Sequence, residues 1–234
     1  MPDLFKKYLS GIAALVFPEI CRGCGEWPGV ERTALCRSCE SKMPRTWFEK
    51  VPGNPTEQIF WGRAKIEFAS SLYFYRKGEL LQQIIHQLKY KGDKKAGVYL
   101  GRLAGRFLVK EALAGEIDCI VPVPLHPKKQ RLRGYNQSQI IARGIGEITR
   151  LPVNTESVIR TVHSASQTRR GRYERWQNVE GIFKVLHPHL FQNKHVLVLD
   201  DVITTGATIE ALCTAFEQVT DVRISVLTIG IAAG

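Results

Sequence analysis

The sequence predicts an α/β fold: a mainly parallel, doubly wound sheet with flanking helices, preceded by a small N-terminal cysteine module. Three observations predict it. From Phe60 onward, short apolar runs alternate with helical stripes. One run, Val196 to Leu199, leads into Asp200-Asp201, a hydroxyl-rich loop and then a helical period. Ahead of these, four of the six cysteines stand as two Cys-x-x-Cys pairs.

The elements follow in order. Residues 1–20 repeat helically through Leu4, Phe5, Tyr8, Leu9, Ile12 and Leu15 and are expected to form an amphipathic packing helix. Lys6 and Lys7 before this apolar stretch imitate a secretory signal, but no small-x-small cleavage site follows. Residues 1–50 are therefore expected to hold a helix and a cysteine module, and 58–234 the α/β domain. Pro52, Gly53, Asn54 and Pro55 mark the connection. Strands are expected at Ser70–Tyr75, Ile117–Val123, Ser157–Val162, Ile182–Val185, 195–200 and Arg223–Ile229. Leu80, Leu81, Ile84, Ile85 and Leu88 form a helical stripe. The helix over 95–113 carries Gly97, Gly101 and Gly105, read as room for close packing on the sheet. Asn136–Arg150 is a helix with Ile140, Ile141, Ile145 and Ile148 inward. No other apolar run approaches the roughly 18 residues of a membrane span, which points to a cytoplasmic protein.

Cys21-x-x-Cys24 and Cys36-x-x-Cys39 lie eleven residues apart. This spacing suits one structural zinc held by four thiolates. Two disulfides in an exported module are the competing reading, and the missing cleavage site weighs against it. All four positions of a tetrahedral ion would be taken, so a catalytic role is not expected. Cys119 and Cys213 sit in apolar patterns and read as core residues.

The net charge of +11 points to an anionic partner: a phosphorylated metabolite, nucleic acid or an anionic membrane. Three segments carry that chemistry. The first is Val196-Leu-Val-Leu-Asp-Asp-Val-Ile-Thr-Thr-Gly-Ala-Thr208. A buried strand ending in a small-residue loop at a helix N-terminus collects free backbone N–H groups and the helix dipole at one spot, which holds phosphate. Thr204, Thr205, Gly206, Ala207 and Thr208 form that loop. Asp200 and Asp201 add oxygen ligands for ribose hydroxyls or Mg²⁺. The second is the turn Pro122-Val-Pro-Leu-His126 with Lys128, Lys129, Arg131 and Arg133 after it. It follows a strand, as ligand loops of open α/β sheets do. Pro124 and Leu125 would approach a diphosphate, and the basic residues would form a mobile lid over it. The third interleaves Arg169, Arg170, Arg172 and Arg175 with Tyr173 and Trp176, the composition of single-stranded nucleic-acid grooves.

The first segment resembles the thirteen-residue signature of type I phosphoribosyltransferases, which bind phosphoribosyl pyrophosphate (PRPP). Nearly the whole chain resembles the ComF family. The resemblance is carried by Phe17-Pro18, both cysteine pairs, Leu88-Lys89-Tyr90 with Gly92, and Pro122-Val-Pro. It continues through Arg133-Gly-Tyr-Asn-Gln-Ser138, Gln167, Arg175, Asn178-Val179, Gly181-x-Phe183 and the Asp200–Thr208 block. It implies a phosphoribosyltransferase-like domain joined to a four-cysteine zinc motif. It also implies a bacterial protein linked in some members to natural competence and the handling of incoming single-stranded DNA; Mg²⁺ would arrive with PRPP. One position departs from the purine-salvage transferases: Thr204 stands where they carry an Asp near the accepting base. An ordinary hydroxyl is a poor general base.

Two functions follow from these readings. As an enzyme, Asp200 and Asp201 would orient ribose, and Arg131 and Arg133 would stabilise a departing diphosphate. As a binding module, the pocket would be non-catalytic. The basic segments would then hold single-stranded DNA or a helicase partner.

Overall fold

In the computed structural model, residues 20–27, 34–48, 51–161 and 181–232 are described. The expected N-terminal helix and the arginine-rich segment bearing Arg169, Arg170, Arg172 and Arg175 lie outside them.

Four strands make one parallel sheet: β1 (Ala69–Tyr75), β2 (Cys119–Pro122), β5 (His195–Ile203) and β6 (Arg223–Ala232), in the order β1-β6-β5-β2. Near-continuous apolar runs are what a sheet covered on both faces requires. Leu197, Leu199, Leu227 and Ile229 face one layer, formed by helices α3 (Leu80–Tyr90), α4 (Lys94–Lys110) and α6 (Gln137–Thr149). Val196, Val198 and Val226 pack on the other side with Phe191, Phe216 and helix α7 (Ala207–Phe216). The fold class read from the sequence is thus the one the chain forms.

Three expectations change in detail. The two weak strands, β3 (Val158–Arg160) and β4 (Phe183–Val185), leave the main sheet and pair antiparallel with each other. The basic stretch after Pro127 is not a loop but helix α5 (Pro127–Arg133), opened by a Pro at its first turn and closed by Gly134 in the left-handed region. The glycines of α4 serve a helix, not the sheet. A Cβ at Gly101 would strike the Ile141 carbonyl, and one at Gly144 would strike that of Val98. Two helix backbones meet there as closely as glycine permits.

The cysteine module is fastened to this body at several points. Helix α1 (Arg37–Ser41) brings Cys39 into the same core as Leu35, Met43, Leu72 and Leu81. Arg22 pairs with Asp93 at 2.9 Å, and Asp93 caps α4 through the Ala96 amide. The chain at Arg45 then bridges β1 antiparallel at Tyr73. A short helix α2 (Pro55–Gln58), capped by the Asn54 side chain, completes the fold.

Candidate functional site

β2 and β5 are neighbours with Pro122 opposite Leu199, and the Val123 amide donates to the Leu199 carbonyl at 2.9 Å. Parallel neighbours end on the same edge of the sheet. The turn Val123–His126 and the loop Thr204–Gly206 therefore leave side by side. Asn136 joins them: its Nδ2 donates to the Val123 carbonyl while its Oδ1 caps α6 at the Ser138 amide. The Ser138 hydroxyl then donates to Asp200 Oδ1 at 2.9 Å. The motif Arg133-Gly-Tyr-Asn-Gln-Ser138 thus works as a brace between β2 and β5.

The acidic pair lies inside β5 rather than at its end, because Val202 and Ile203 still pair with Gly230 and Ile231 of β6. Asp201 is 3% exposed. Lys89, near the end of α3, donates to its Oδ1 at 3.0 Å and sits 2.8 Å from Oδ2. Oδ2 is buried, with the Lys89 ammonium as its ion-pair partner. Asp200 takes the Asp201 amide and the Ser138 hydroxyl on one oxygen. Burial, and then the neighbouring Asp201 charge, push its carboxyl up to about 7, against the lowering effect of those donors and Lys89.

Beyond the pair, Asp200 and residues 202–209 line a shallow concavity that includes Thr204, Thr205, Gly206, Ala207 and Thr208. Gly206 is the N-cap of α7 with φ 75°, and a Cβ there would run into Ile59. Its glycine is dictated by conformation and crowding together. Pro124 and Leu125 leave β2 beside this loop but do not line the concavity. Lys128, Lys129 and Arg131 are exposed on α5, a helix with no buried residue. Arg133 lies over the Tyr90 ring, with 5.6 Å from guanidinium carbon to ring centroid, and also donates to Gln137.

Two cations of this site were not assigned a role from sequence. Lys89 was noticed only as part of a motif. Arg63 was not noticed at all, and it donates to the Thr205 carbonyl at 2.8 Å and pairs with Glu210. No local spacing reveals either, since each reaches its partner across more than a hundred residues.

The four cysteine sulfurs lie within 4.8 Å of one another. Cys24 and Cys36 are separated by 3.8 Å, the edge expected of a tetrahedron with metal–sulfur bonds of about 2.3 Å. Amides of Gly23 and Cys36 donate to Cys21 Sγ, each at 3.3 Å. Burial alone would raise the Cys21 thiol, but these amides and that of Cys24 bring it down to about 6. Burial pushes Cys39 up to about 12. All four are free cysteines, and the cluster could hold a single zinc ion. Cys213 is a core residue, while Cys119 is only partly buried.

No family model matches the chain. Among curated proteins it is 31% identical over 136 residues to DNA utilization protein YhgH of Escherichia coli K12, covering 55% of the chain and 57% of that protein. It is 31% identical over 96 residues to competence protein F of Haemophilus influenzae, covering 41% and 42%. Against competence protein ComFC of Bacillus subtilis the identity is 22%, over 82% of the chain and 68% of the relative. The chain thus spans little more than half the length of the YhgH protein it matches. Solved structures show a partial likeness at 18% identity. An allosteric regulatory enzyme of purine biosynthesis matches 58% of the chain with a TM-score of 0.43, and covers 26% of that enzyme. A glutamine phosphoribosylpyrophosphate amidotransferase of Bacillus subtilis matches 58% with a TM-score of 0.40, covering 27% of it.

The protein is of the open parallel α/β class with a four-cysteine module at its N-terminal end. Its relatives carry the names DNA utilization protein YhgH, competence protein F and ComFC, and the chain is similar to each of them over part of its length. Among the described residues, no helix is long and apolar enough to cross a membrane.

Proposed function

We propose that this chain binds PRPP, or a closely related ribose phosphate, together with Mg²⁺, and that it serves DNA uptake or the use of DNA-derived nucleotides. One observation carries the reading. The 204–208 loop, with the Asp200–Asp201 pair just before it inside β5, leaves that strand at the edge where the proline turn leaves β2. Backbone amides at the start of α7 would take the 5′-phosphate. The two carboxylates would take ribose hydroxyls, with oxygen chemistry that also suits Mg²⁺ carried in by the diphosphate. Pro124 and Leu125 would face that diphosphate, with Arg131 and Arg133 beyond them. Cys21, Cys24, Cys36 and Cys39 would hold a structural zinc. The names of the relatives support the cellular role. A cytoplasmic location accords with the metabolite.

A second reading is favoured by α5, whose Lys128, Lys129 and Arg131 stand in solvent with nothing buried behind them. Together with Arg169, Arg170, Arg172 and Arg175, it would make a track for single-stranded DNA or for a helicase partner, around a pocket that binds without reacting.

One titration tests both. The zinc-loaded full chain is melted with PRPP–Mg²⁺ and, separately, with an oligo-dT strand. Ligand at about a hundred times its Kd adds about 2.7 kcal/mol and raises Tm by several degrees. Asp200→Asn with Asp201→Asn is expected to abolish the PRPP shift. No shift in the wild type would end the first reading. A DNA shift that survives high salt would end the second, because phosphate contacts weaken steeply with salt.

A further inference from the structure

We infer that Arg63 is the positioning residue of the 204–208 loop: it turns the Thr205–Gly206 peptide toward an incoming phosphomonoester and offsets the Glu210 carboxylate in the first turn of α7. This inference rests on the ribose-phosphate reading of that loop.

The segment carrying Arg63 is held from both sides. Asn54 donates from Nδ2 to the Ala69 carbonyl at 2.9 Å, and Thr56 donates to Ser71 Oγ at 2.9 Å. Phe60 is buried in the second core, and Ile59 with Phe60 crowds Gly206. Arg63 then reaches the loop from this fixed base. Its Nη1 donates to the Ile59 carbonyl at 3.0 Å and to the Thr205 carbonyl at 2.8 Å.

The consequence follows from peptide geometry. In a trans peptide unit the C=O and the N–H point in opposite directions. Fixing the Thr205 carbonyl on Arg63 therefore turns the Gly206 N–H away from Arg63. The concavity is lined by Asp200 and 202–209 and by no residue of 59–63, so the segment backs the loop from outside. The turned N–H accordingly faces the concave side, where a phosphate oxygen would sit.

Charge gives the second half. Glu210 is the acidic residue of the first turn of α7, where the helix dipole and free amides attract anions. A bare carboxylate there would compete with phosphate. The other terminal nitrogen of Arg63, Nη2, pairs with Glu210 and removes that competition. A planar guanidinium can hold a carbonyl and a carboxylate at once, whereas an ammonium is a single point charge.

The test uses the zinc-loaded full chain and ribose 5-phosphate, read by calorimetry and by the Gly206 amide resonance. Arg63→Ala is expected to weaken binding about tenfold, the effect of losing one well-placed charged contact. The Gly206 amide would then lose the shift that ligand causes in the wild type. Arg63→Lys should recover part of the affinity. Adding Glu210→Gln to Arg63→Ala should recover the electrostatic share only and leave the amide unresponsive. If the alanine variant does not fold, the lysine variant carries the comparison. Wild-type affinity and a normal Gly206 shift in Arg63→Ala would overturn the inference while leaving the pocket standing. Full recovery in the double variant would overturn the positioning role. A wild type that ignores ribose 5-phosphate would overturn pocket and inference together.

Discussion

Strand β5 begins and ends in a buried polar cluster, and the two are built differently. At its start, His195 is 1% exposed, yet every polar group around it has a partner. Its Nδ1 meets the Glu116 carbonyl at 2.7 Å and its Nε2 meets Ser225 Oγ at 2.7 Å. A carbonyl only accepts, so Nδ1 carries a proton toward Glu116. The His195 amide donates to Asp118, whose carboxyl is held below its usual range by that bond first and by Lys194 next. Toward the far end of the same strand two carboxylates stand side by side: Lys89 pairs with Asp201, and burial drives Asp200 upward. One end stabilises the sheet. The other places a carboxyl where burial and a neighbouring carboxylate disfavour its charged form.

The largest expected effect comes from breaking the satisfied end. His195→Leu would leave the Ser225 hydroxyl buried and unpaired and take the partner from the Glu116 carbonyl. It would also lose the edge contact with Phe68 at 6.4 Å between centroids. The orphaned hydroxyl and the lost packing together cost about 2–4 kcal/mol. Urea denaturation should show this loss, while ribose 5-phosphate affinity stays at the wild-type value. A variant as stable as the parent would show that the two ends do not differ in the way described.

The strained end should respond in the opposite direction. An Asp200 amide would still accept from Ser138 and from the Asp201 N–H, so Asp200→Asn keeps the bonds and removes the charge. The sign follows from linkage. The folded carboxyl titrates at about 7 and the unfolded one near its ordinary value of 3.8. The folded state therefore binds the proton more tightly, and stability falls as pH climbs from about 4 to about 7. Asp200→Asn should stabilise the free protein by roughly 1–3 kcal/mol at pH 8 and leave it unchanged at pH 4. The same variant should lose its response to PRPP–Mg²⁺. A stabilised protein that still binds normally would separate the strain from the function.

The strand and helix that carry this contrast were legible because their signals are local. The run Val196–Leu199, the paired aspartates and the Thr-Thr-Gly loop each state their geometry within a few residues. So do the cysteine pairs, whose short turns converge whatever the rest of the chain does. Helix α5 was missed although its signals were present: Pro127 at its first turn, His126 accepting from the Lys128 amide, and Gly134 at its end. A dense run of Lys and Arg drew the reading toward a solvated loop. The glycines of α4 announced a close approach but not its partner, since Gly144 sits on a different helix. Lys89 and Arg63 were illegible as site residues for a related reason. Their ion pairs form only after the sheet has brought β5 and α7 between α3 and the 59–63 segment. The braced N-terminus of α6 was half visible, as a motif whose Asn and Ser had no stated task.

The smallest effect sharpens the comparison most, because its sign is reversed. Asp118 is 36% exposed and its partner Lys194 48%, so their ion pair at 3.0 Å is worth little in water. An amide in its place would still accept from the His195 N–H. Asp118→Asn should then cost under about 1 kcal/mol at pH 7. Its folded carboxyl is depressed, first by the His195 amide, so the stability it supplies is present above the unfolded value near 4. That contribution fades as pH falls through the lower folded value. Denaturation curves at pH 7 and pH 3 should therefore converge for wild type and Asp118→Asn on acidification. The Asp200→Asn pair converges on acidification too, but from above the wild type instead of below it. If both variants lay on the same side of the wild type at pH 7, the two ends of β5 would be carrying the same kind of charge. The exit of the strand would then have no claim to be the costly one.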